Sequence, residues 1–333
     1  MTELSSPPRI LIIKLSSLGD LFHALPAVHR LKDAWNAEID WVTQSEYADL
    51  VHAFDDVSRV FVFPRRHFIH GIRRLRRELR HTRYDYVLDL QGLFKSALVT
   101  ALSRGRRKIG PSFHRECSRL FYREIAGKRN RNRHAVDEIM DVVRHLGIEP
   151  TPIEFPTAFP VMTPDRPSPR VAFIPRSRWT TKNWPASKFI ETGNALIRAC
   201  NANVYLVGSK EDQAACLEIE QGLERPCRNL CGTTSLIELG GWLQSMDLVI
   251  SVDSGPLHMA AAVGVPVMAL FGATDPLRTG PYGRGHRVIA RTDLSCRPCC
   301  SRVCRRPERD IACLANLPET DVIKNALDLL SNT

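Results

Sequence analysis

The sequence predicts an α/β protein made of two doubly wound parallel sheets. Short, near-continuous apolar runs alternate with amphipathic helical stretches, the mark of buried parallel strands joined by crossover helices. The alternation occurs twice, and a proline-rich stretch divides the two series. A length of 333 residues suits two cores better than one.

The first series opens at Arg9–Leu15 (RILIIKL), apolar enough to be covered on both faces. A helix follows over about Asp20–Ala34, with Leu21, Leu25, Val28 and Leu31 at three- and four-residue steps. Strands are expected at Ile39–Thr43, Arg59–Phe63 and Tyr84–Leu90, and a helix at Leu93–Ser103. Between the last two strands, Phe68, Ile72, Leu75 and Leu79 form one helical stripe, with Arg73, Arg74, Arg76, Arg77 and Arg80 on the other faces. Residues 160–169 (PVMTPDRPSP) hold four prolines and no apolar period, so they read as a linker. Beyond it lie strand Arg170–Ile174, helix Ala186–Ala199, strand Asn203–Val207 and helix Glu211–Leu223. Asp247–Ser251, Gly255–Val263 and Pro266–Phe271 continue as strand, helix and strand. Two such halves are expected to face a cleft at the carboxyl ends of their sheets, where open sheets take ligands.

Composition narrows the class. With 44% hydrophobic and 25% charged residues the chain is neither disordered, collagen-like nor a coiled coil. No stretch approaches the roughly 18 uninterrupted apolar residues of a membrane helix. Met259–Ala273 is broken by Gly264 and Pro266, and the polar start with Lys14 does not read as a signal peptide. A cytoplasmic protein is the expectation. Residues 1–150 carry 26 Lys and Arg against 18 Asp and Glu, so the first half is the basic one. It should meet something anionic: a phosphorylated metabolite, a membrane surface or nucleic acid.

Four loops could carry chemistry. Ser16-Ser17-Leu18-Gly19-Asp20 follows the first strand without the glycine fingerprint of a dinucleotide site; Gly19 permits close approach, and Asp20 reads as a helix cap or a carboxylate aimed at ligand. Ser251-Val252-Asp253-Ser254-Gly255-Pro256-Leu257-His258 joins a strand to a helix whose free N–H groups make an anion site. There His258 could add a donor to a phosphate, and Asp253 could orient that imidazole or a ribose. Pro175–Pro185 (PRSRWTTKNWP) offers hydroxyls and the mobile cation Lys182 to a diphosphate. In Gly208-Ser209-Lys210-Glu211-Asp212 an acid could bind ribose hydroxyls or cap a helix.

These segments resemble the heptosyltransferases of glycosyltransferase family 9. KLSSLGD, DLQGLFKSAL at 89–98, TTKNWP and SVDSGPLHMAAAVGVPVMALFGATDP at 251–276 carry the resemblance, which spans nearly the whole chain; the inner-core type is the most similar. It implies the GT-B arrangement of two Rossmann-like domains: an acceptor-binding domain at 1–160, a linker at 161–169 and a donor-binding domain at 170–333. It further implies an inverting transfer of heptose from ADP-heptose to the Kdo region of an anionic lipopolysaccharide, without metal or other cofactor. Asp20 would be the base, with Ser17 and Gly19 beside it at the acceptor. Lys182 would contact the donor phosphates, with Ser177, Arg178, Asp212 (or Glu211), Asp253, Ser254, Gly255 and His258 completing the donor site. Arg65, Arg66 and Arg115 would meet the acidic acceptor. The setting implied is peripheral, at the cytoplasmic face of the inner membrane, with no nucleic-acid partner.

Sugar transfer needs a base for the acceptor hydroxyl and stabilisation for the departing diphosphate, which Asp20 on one side and Lys182 with a helix N-terminus on the other could supply. No Asp-x-Asp pair occurs, so a metal clamp on a sugar nucleotide is not indicated. Two readings from other classes stand beside this one. A nucleic-acid-binding protein would use the arginine-rich helix, though aromatic interleaving is sparse there. A nicotinamide dehydrogenase would need the missing glycine fingerprint.

Of the ten cysteines, Cys117, Cys200, Cys216, Cys227 and Cys231 read as small buried hydrophobes. Cys296, Cys299, Cys304 and Cys313 have a spacing that could hold zinc, or they are thiols made reactive by neighbouring arginines.

Overall fold

The computed structural model describes residues 6–65, 68–167 and 169–331. The chain forms two compact units, residues 1–158 and 159–333. In the first, strands β1 (Arg9–Ile13), β2 (Glu38–Gln44), β3 (Arg59–Phe63), β4 (Tyr84–Asp89), β5 (Gly105–Pro111) and β6 (Glu124–Ala126) make one parallel sheet, ordered β3-β2-β1-β4-β5-β6. In the second, β7 (Arg170–Ile174), β8 (Asn203–Leu206), β9 (Arg228–Asn229), β10 (Leu248–Val252), β11 (Val267–Phe271) and β12 (Arg287–Ala290) make another, ordered β12-β11-β10-β7-β8-β9. Counted from its own first strand, each sheet has the order 3-2-1-4-5-6, the Rossmann arrangement.

Helices cover both faces of the first sheet. On one, Leu11, Ile13 and Val42 pack with Leu75 and Leu79 of helix Phe68–Arg80 and Val99 of helix Phe94–Leu102. On the other, Trp41 meets Phe54 at 5.7 Å, and Phe54 meets Phe22 of helix Leu18–Trp35 at 5.6 Å. Successive residues of a strand point to opposite faces, so Trp41 and Val42 divide between the two layers. In the second unit Phe173, Trp184, Phe189, Ile250 and Leu270 anchor the core, joined by Leu314 and Val322 from the last two helices, Ala312–Ala315 and Glu319–Ser331. Each fully buried side chain of this size contributes about 1.5–3 kcal/mol.

Two strand runs coincide with their apolar segments, Arg59–Phe63 and Arg170–Ile174, while β4 ends at Asp89, one residue before the expected Leu90. Four strands had no apolar run to announce them: β5, β6, β9 and β12. The proline-rich stretch is not loose at its start. Phe159 is buried against Gly240, and the carbonyl of the exposed Pro160 abuts Gly241, of helix Leu236–Gln244, where a Cβ on the two glycines would come within 2.6 Å and 2.2 Å of them. Ala158, the last residue of the first unit, donates its N–H to Ala53 at 2.8 Å. No described helix is long and apolar enough to cross a membrane.

Candidate active-site elements

All strands of a parallel sheet end on one edge, so the loops that follow β1, β3, β4 and β5 gather at the carboxyl edge of the first sheet. There Ser17 caps helix Leu18–Trp35, and both its N–H (2.9 Å) and its hydroxyl (2.8 Å) donate to Asp20 Oδ2. Asp20 is thus a capping acid, yet its side chain remains 43% exposed, with Oδ1 4.0 Å from Nδ1 of the buried His23. The two readings of Asp20 are compatible, because capping uses one oxygen and one direction. Gly19 is buried behind it, and Ser17 is exposed beside it.

The turn rests on the loop after β4. Gln91 Oε1 accepts from the N–H groups of Leu15 (3.1 Å) and Ser16 (3.2 Å). Lys14, fully buried, donates to the Leu90 carbonyl at 2.9 Å; burial pushes its pKa down, while the charges of Asp20 and Asp89 push it back. Asp89 accepts from the N–H groups of Gln91 (2.8 Å) and Gly92 (2.9 Å) and from the Tyr122 hydroxyl (2.6 Å). Its carboxyl pKa is nevertheless raised, since burial outweighs those bonds. Gly92 has φ +71, and a Cβ there would lie 2.9 Å from the Pro111 ring, so glycine is required. Asp89, Gln91 and Tyr122 are not announced as site residues by their sequence, beyond the place of the first two in the DLQG segment.

The expected acceptor arginines divide. Arg65, just past β3, is largely exposed and donates to Glu46 Oε2 at 3.1 Å. Arg115, past β5, is exposed; its backbone N–H donates to Gly92 O at 2.8 Å and its carbonyl accepts from Ser118 N–H at 3.0 Å. Both lie on the loops that end at the Asp20 edge. Arg66 falls outside the described residues.

In the second unit, the loop after β7 and the loop after β10 come together. Lys182 Nζ is 2.6 Å from Asp253 Oδ2, and the Thr274 hydroxyl donates to the same oxygen at 2.5 Å. His258 Nε2 stands 3.9 Å from Asp253 Oδ1. Asp253 is only 5% exposed, so its charge is met by a cation and a hydroxyl rather than by water. Helix Gly255–Ala262 begins at Ser254, which is extended (φ −145, ψ 166), with Pro256 in its first turn. The Ser254 hydroxyl lies 3.3 Å from that of Ser251.

The Lys182 loop is fastened at several points. Ser177 N–H donates to Asn183 Oδ1 (2.8 Å), Thr181 to the Ser301 carbonyl (2.7 Å) and buried Trp184 to Leu317 O (3.3 Å). Lys182 Nζ also sits 4.7 Å from the Trp179 ring centre, and the Arg302 guanidinium 5.2 Å from it. Arg178 is exposed on the same loop. Thr274 and Trp179 are site residues that the loop sequences did not announce, although Thr274 lies within the FGATDP segment and Trp179 within PRSRWTTKNWP. Asp212 closes its own turn, accepting from Ser209 N–H (2.9 Å) and hydroxyl (2.8 Å), whereas Glu211 is exposed.

Among the described residues no group of three or more His, Cys, Asp or Glu side chains is placed to hold a metal ion, so the cysteine spacing does not close into a zinc site. Cys296 and Cys300 are exposed while Cys313 is buried. Burial pushes the Cys313 thiol pKa up, against a smaller pull from Arg297, the reverse of the activation expected from its arginine neighbours. Cys117 is exposed as well, unlike the buried role expected of it.

A two-sheet α/β chain with a phosphate-type helix start and a clamped lysine has the makings of a nucleotide-sugar transferase. The model of glycosyltransferase family 9 (heptosyltransferase) matches residues 72–309, and the chain belongs to that family. It is an enzyme, and the nucleic-acid-binding and dehydrogenase readings give way. It is 30% identical to lipopolysaccharide heptosyltransferase 1 of Salmonella typhimurium over 94% of this chain and 98% of that one. To the enzyme of the same name from Pseudomonas aeruginosa it is 28% identical over 89% and 87%. The structure of the E. coli heptosyltransferase WaaC with ADP superposes with a TM-score of 0.79, at 25% identity, over 96% of this chain and 99% of that one. A family 9 glycosyl transferase from Veillonella parvula shares the fold with a TM-score of 0.83.

Proposed function

We propose that the chain transfers heptose from ADP-heptose to the Kdo-bearing inner core of lipopolysaccharide, with inversion at the anomeric carbon, as an enzyme peripheral to the cytoplasmic face of the inner membrane. The observation that carries the reading is the Lys182–Asp253 contact at 2.6 Å beside the start of helix Gly255–Ala262. It puts a cation and unsatisfied helix N–H groups in one small region, which suits a diphosphate whose negative charge grows as it leaves.

In this reading Lys182, Ser177, Arg178, Ser254, Gly255 and His258 hold the donor diphosphate, with Asp253 fixing Lys182. Asp212 meets the ribose. Asp20 takes the proton of the acceptor hydroxyl while the new C–O bond forms at the anomeric carbon and the bond to ADP breaks. Ser17 and Gly19 shape the acceptor side, and Arg65, Arg66 and Arg115 meet its carboxylates and phosphates. Residues 1–160 then serve the acceptor and 170–333 the donor.

The test is transfer from ADP-heptose to a Kdo-bearing lipid A acceptor by the wild type and by Asp20→Asn. A fall in turnover of about 10²–10⁴-fold, with ADP affinity retained, supports Asp20 as the base. Near-normal turnover sinks that role. A second reading, transfer to a heptosylated core or from a different nucleotide sugar, is separated by giving the same enzyme a panel of acceptors and donors.

A further inference from the structure

We infer that the carboxyl edge of the first sheet is a docking surface for an anionic phospholipid bilayer, built from apolar side chains that water does not explain. In the first unit, the exposed large hydrophobic residues are Val62, Phe68, Ile69, Phe94 and Leu120 among the described residues. Val62, between Phe61 and Phe63 on β3, points to the opposite face of the sheet, but the other four do not scatter. Phe68 and Ile69 open the helix that follows β3, and Phe94 opens the helix after β4. Leu120 lies past β5, beside Phe121, whose ring meets Phe94 edge-on at 5.8 Å. Single exposed hydrophobes are ordinary, but four on one edge of one sheet form a patch.

The patch is held rigidly. A Cβ on Gly71 would fall 2.3 Å from the Pro64 side chain, so the first turn of helix Phe68–Arg80 is pressed onto the end of β3, and Phe68 packs on Phe63 at 6.0 Å. Ile69, at 63% exposure, is therefore displayed by a packed helix start, and Leu120 is 83% exposed beside Phe121. Cations flank them: Arg65, Lys95 and Arg115 are exposed on the same loops and first turns. Apolar side chains able to enter the acyl boundary, ringed by cations able to meet lipid phosphates, are what an interfacial protein presents. An anionic bilayer meets both halves of the patch, whereas a nucleic acid would leave the apolar half in water. Asp20 opens on this edge, so the surface would bring a membrane-bound acceptor to the base; that consequence, though not the docking itself, rests on the function proposed above.

The experiment is flotation of the full-length enzyme with vesicles free of lipopolysaccharide, either neutral phosphatidylcholine or containing phosphatidylglycerol. Wild type should float with the anionic vesicles only, and lose them as salt rises. Phe68→Ser with Ile69→Ser should lower the bound fraction at least about tenfold, since each loses apolar area that would leave water on docking. Leu120→Ser should do so independently. All three should turn over an acceptor stripped of its acyl chains at the wild-type rate. Equal binding to neutral vesicles, variants that bind like wild type, or variants slow on the stripped acceptor would each overturn the inference. Displacement by RNA without any effect of the apolar substitutions would point to nucleic acid instead. Vesicle binding without heptose transfer would leave docking intact and sink the proposed function.

Discussion

Lys182 Nζ and Asp253 Oδ2 lie 2.6 Å apart, joining the loop after the first strand of the second sheet to the end of its fourth. Neither charge is well hydrated, so each depends on the other.

Replacing Lys182 with Ala strands the Asp253 carboxylate with the Thr274 hydroxyl as its remaining close donor. Loss of one member of a buried pair costs about 3–5 kcal/mol, so the variant should melt well below wild type by calorimetry. Its kcat/KM for the donor should fall by about 10²–10³-fold. A variant with unchanged donor kinetics would remove Lys182 from the phosphate site.

Ser17→Ala removes the hydroxyl bond to Asp20 and keeps the one from the backbone N–H. The stability loss should be about 1 kcal/mol, typical of a cap. Because the carboxylate is then less firmly aimed, kcat should drop more than KM rises, and steady-state kinetics with a stripped acceptor separate the two.

Gln91→Ala removes the acceptor shared by Leu15 and Ser16. Two partly buried N–H groups without their partner cost about 1–3 kcal/mol each. The expected result is lower thermal stability and slower transfer, with ADP affinity by calorimetric titration unchanged.

Gly208→Ala would place a methyl group 2.8 Å from Cys231 Sγ and 2.9 Å from Asp212 Cβ. The loop must shift, taking Asp212 with it, so KM for the ADP-sugar should rise and kcat should change little. Equal kinetics would dismiss Asp212 as a donor contact.

Glu124 accepts from Arg107 at 2.9 and 2.5 Å and contacts His145 at 2.9 Å. The Arg107 hydrogen bonds, mainly, hold its pKa down at about 2, from an ordinary 4.5. A carboxyl whose folded pKa is depressed stabilises the fold above its unfolded pKa and loses that contribution as pH falls through the folded one. The stability gap between wild type and Glu124→Gln, by urea unfolding, should therefore be constant near neutrality and close between about pH 4.5 and 2. The pair is partly exposed, so the gap should not exceed about 1 kcal/mol.

The strands that sequence made legible are the central ones, where both faces are covered and only apolar side chains fit, as in Arg9–Ile13 and Leu248–Val252. β5 escaped notice because Arg106, Arg107 and Lys108 lie within it; Arg107 is solved by pairing with Glu124 on β6, a partner 17 residues away. β9 has two residues, too few for any period. At the site, turns after strands announced Asp20, Lys182 and Asp253 through their residue types. What spacing could not reveal is who touches whom: Thr274 completes the Asp253 cluster from another loop, and Gln91 reaches Leu15 across 76 residues. Those contacts exist only once the sheets set the loops side by side.

Trp179 lies under two cations at once, Lys182 and Arg302, an arrangement no other tryptophan has among the described residues. An indole in so strong a local field is a built-in fluorophore that senses where those charges sit. Any anion that draws Lys182 or Arg302 off the ring should change its emission, giving this enzyme a label-free signal for occupancy that Trp179→Phe would silence.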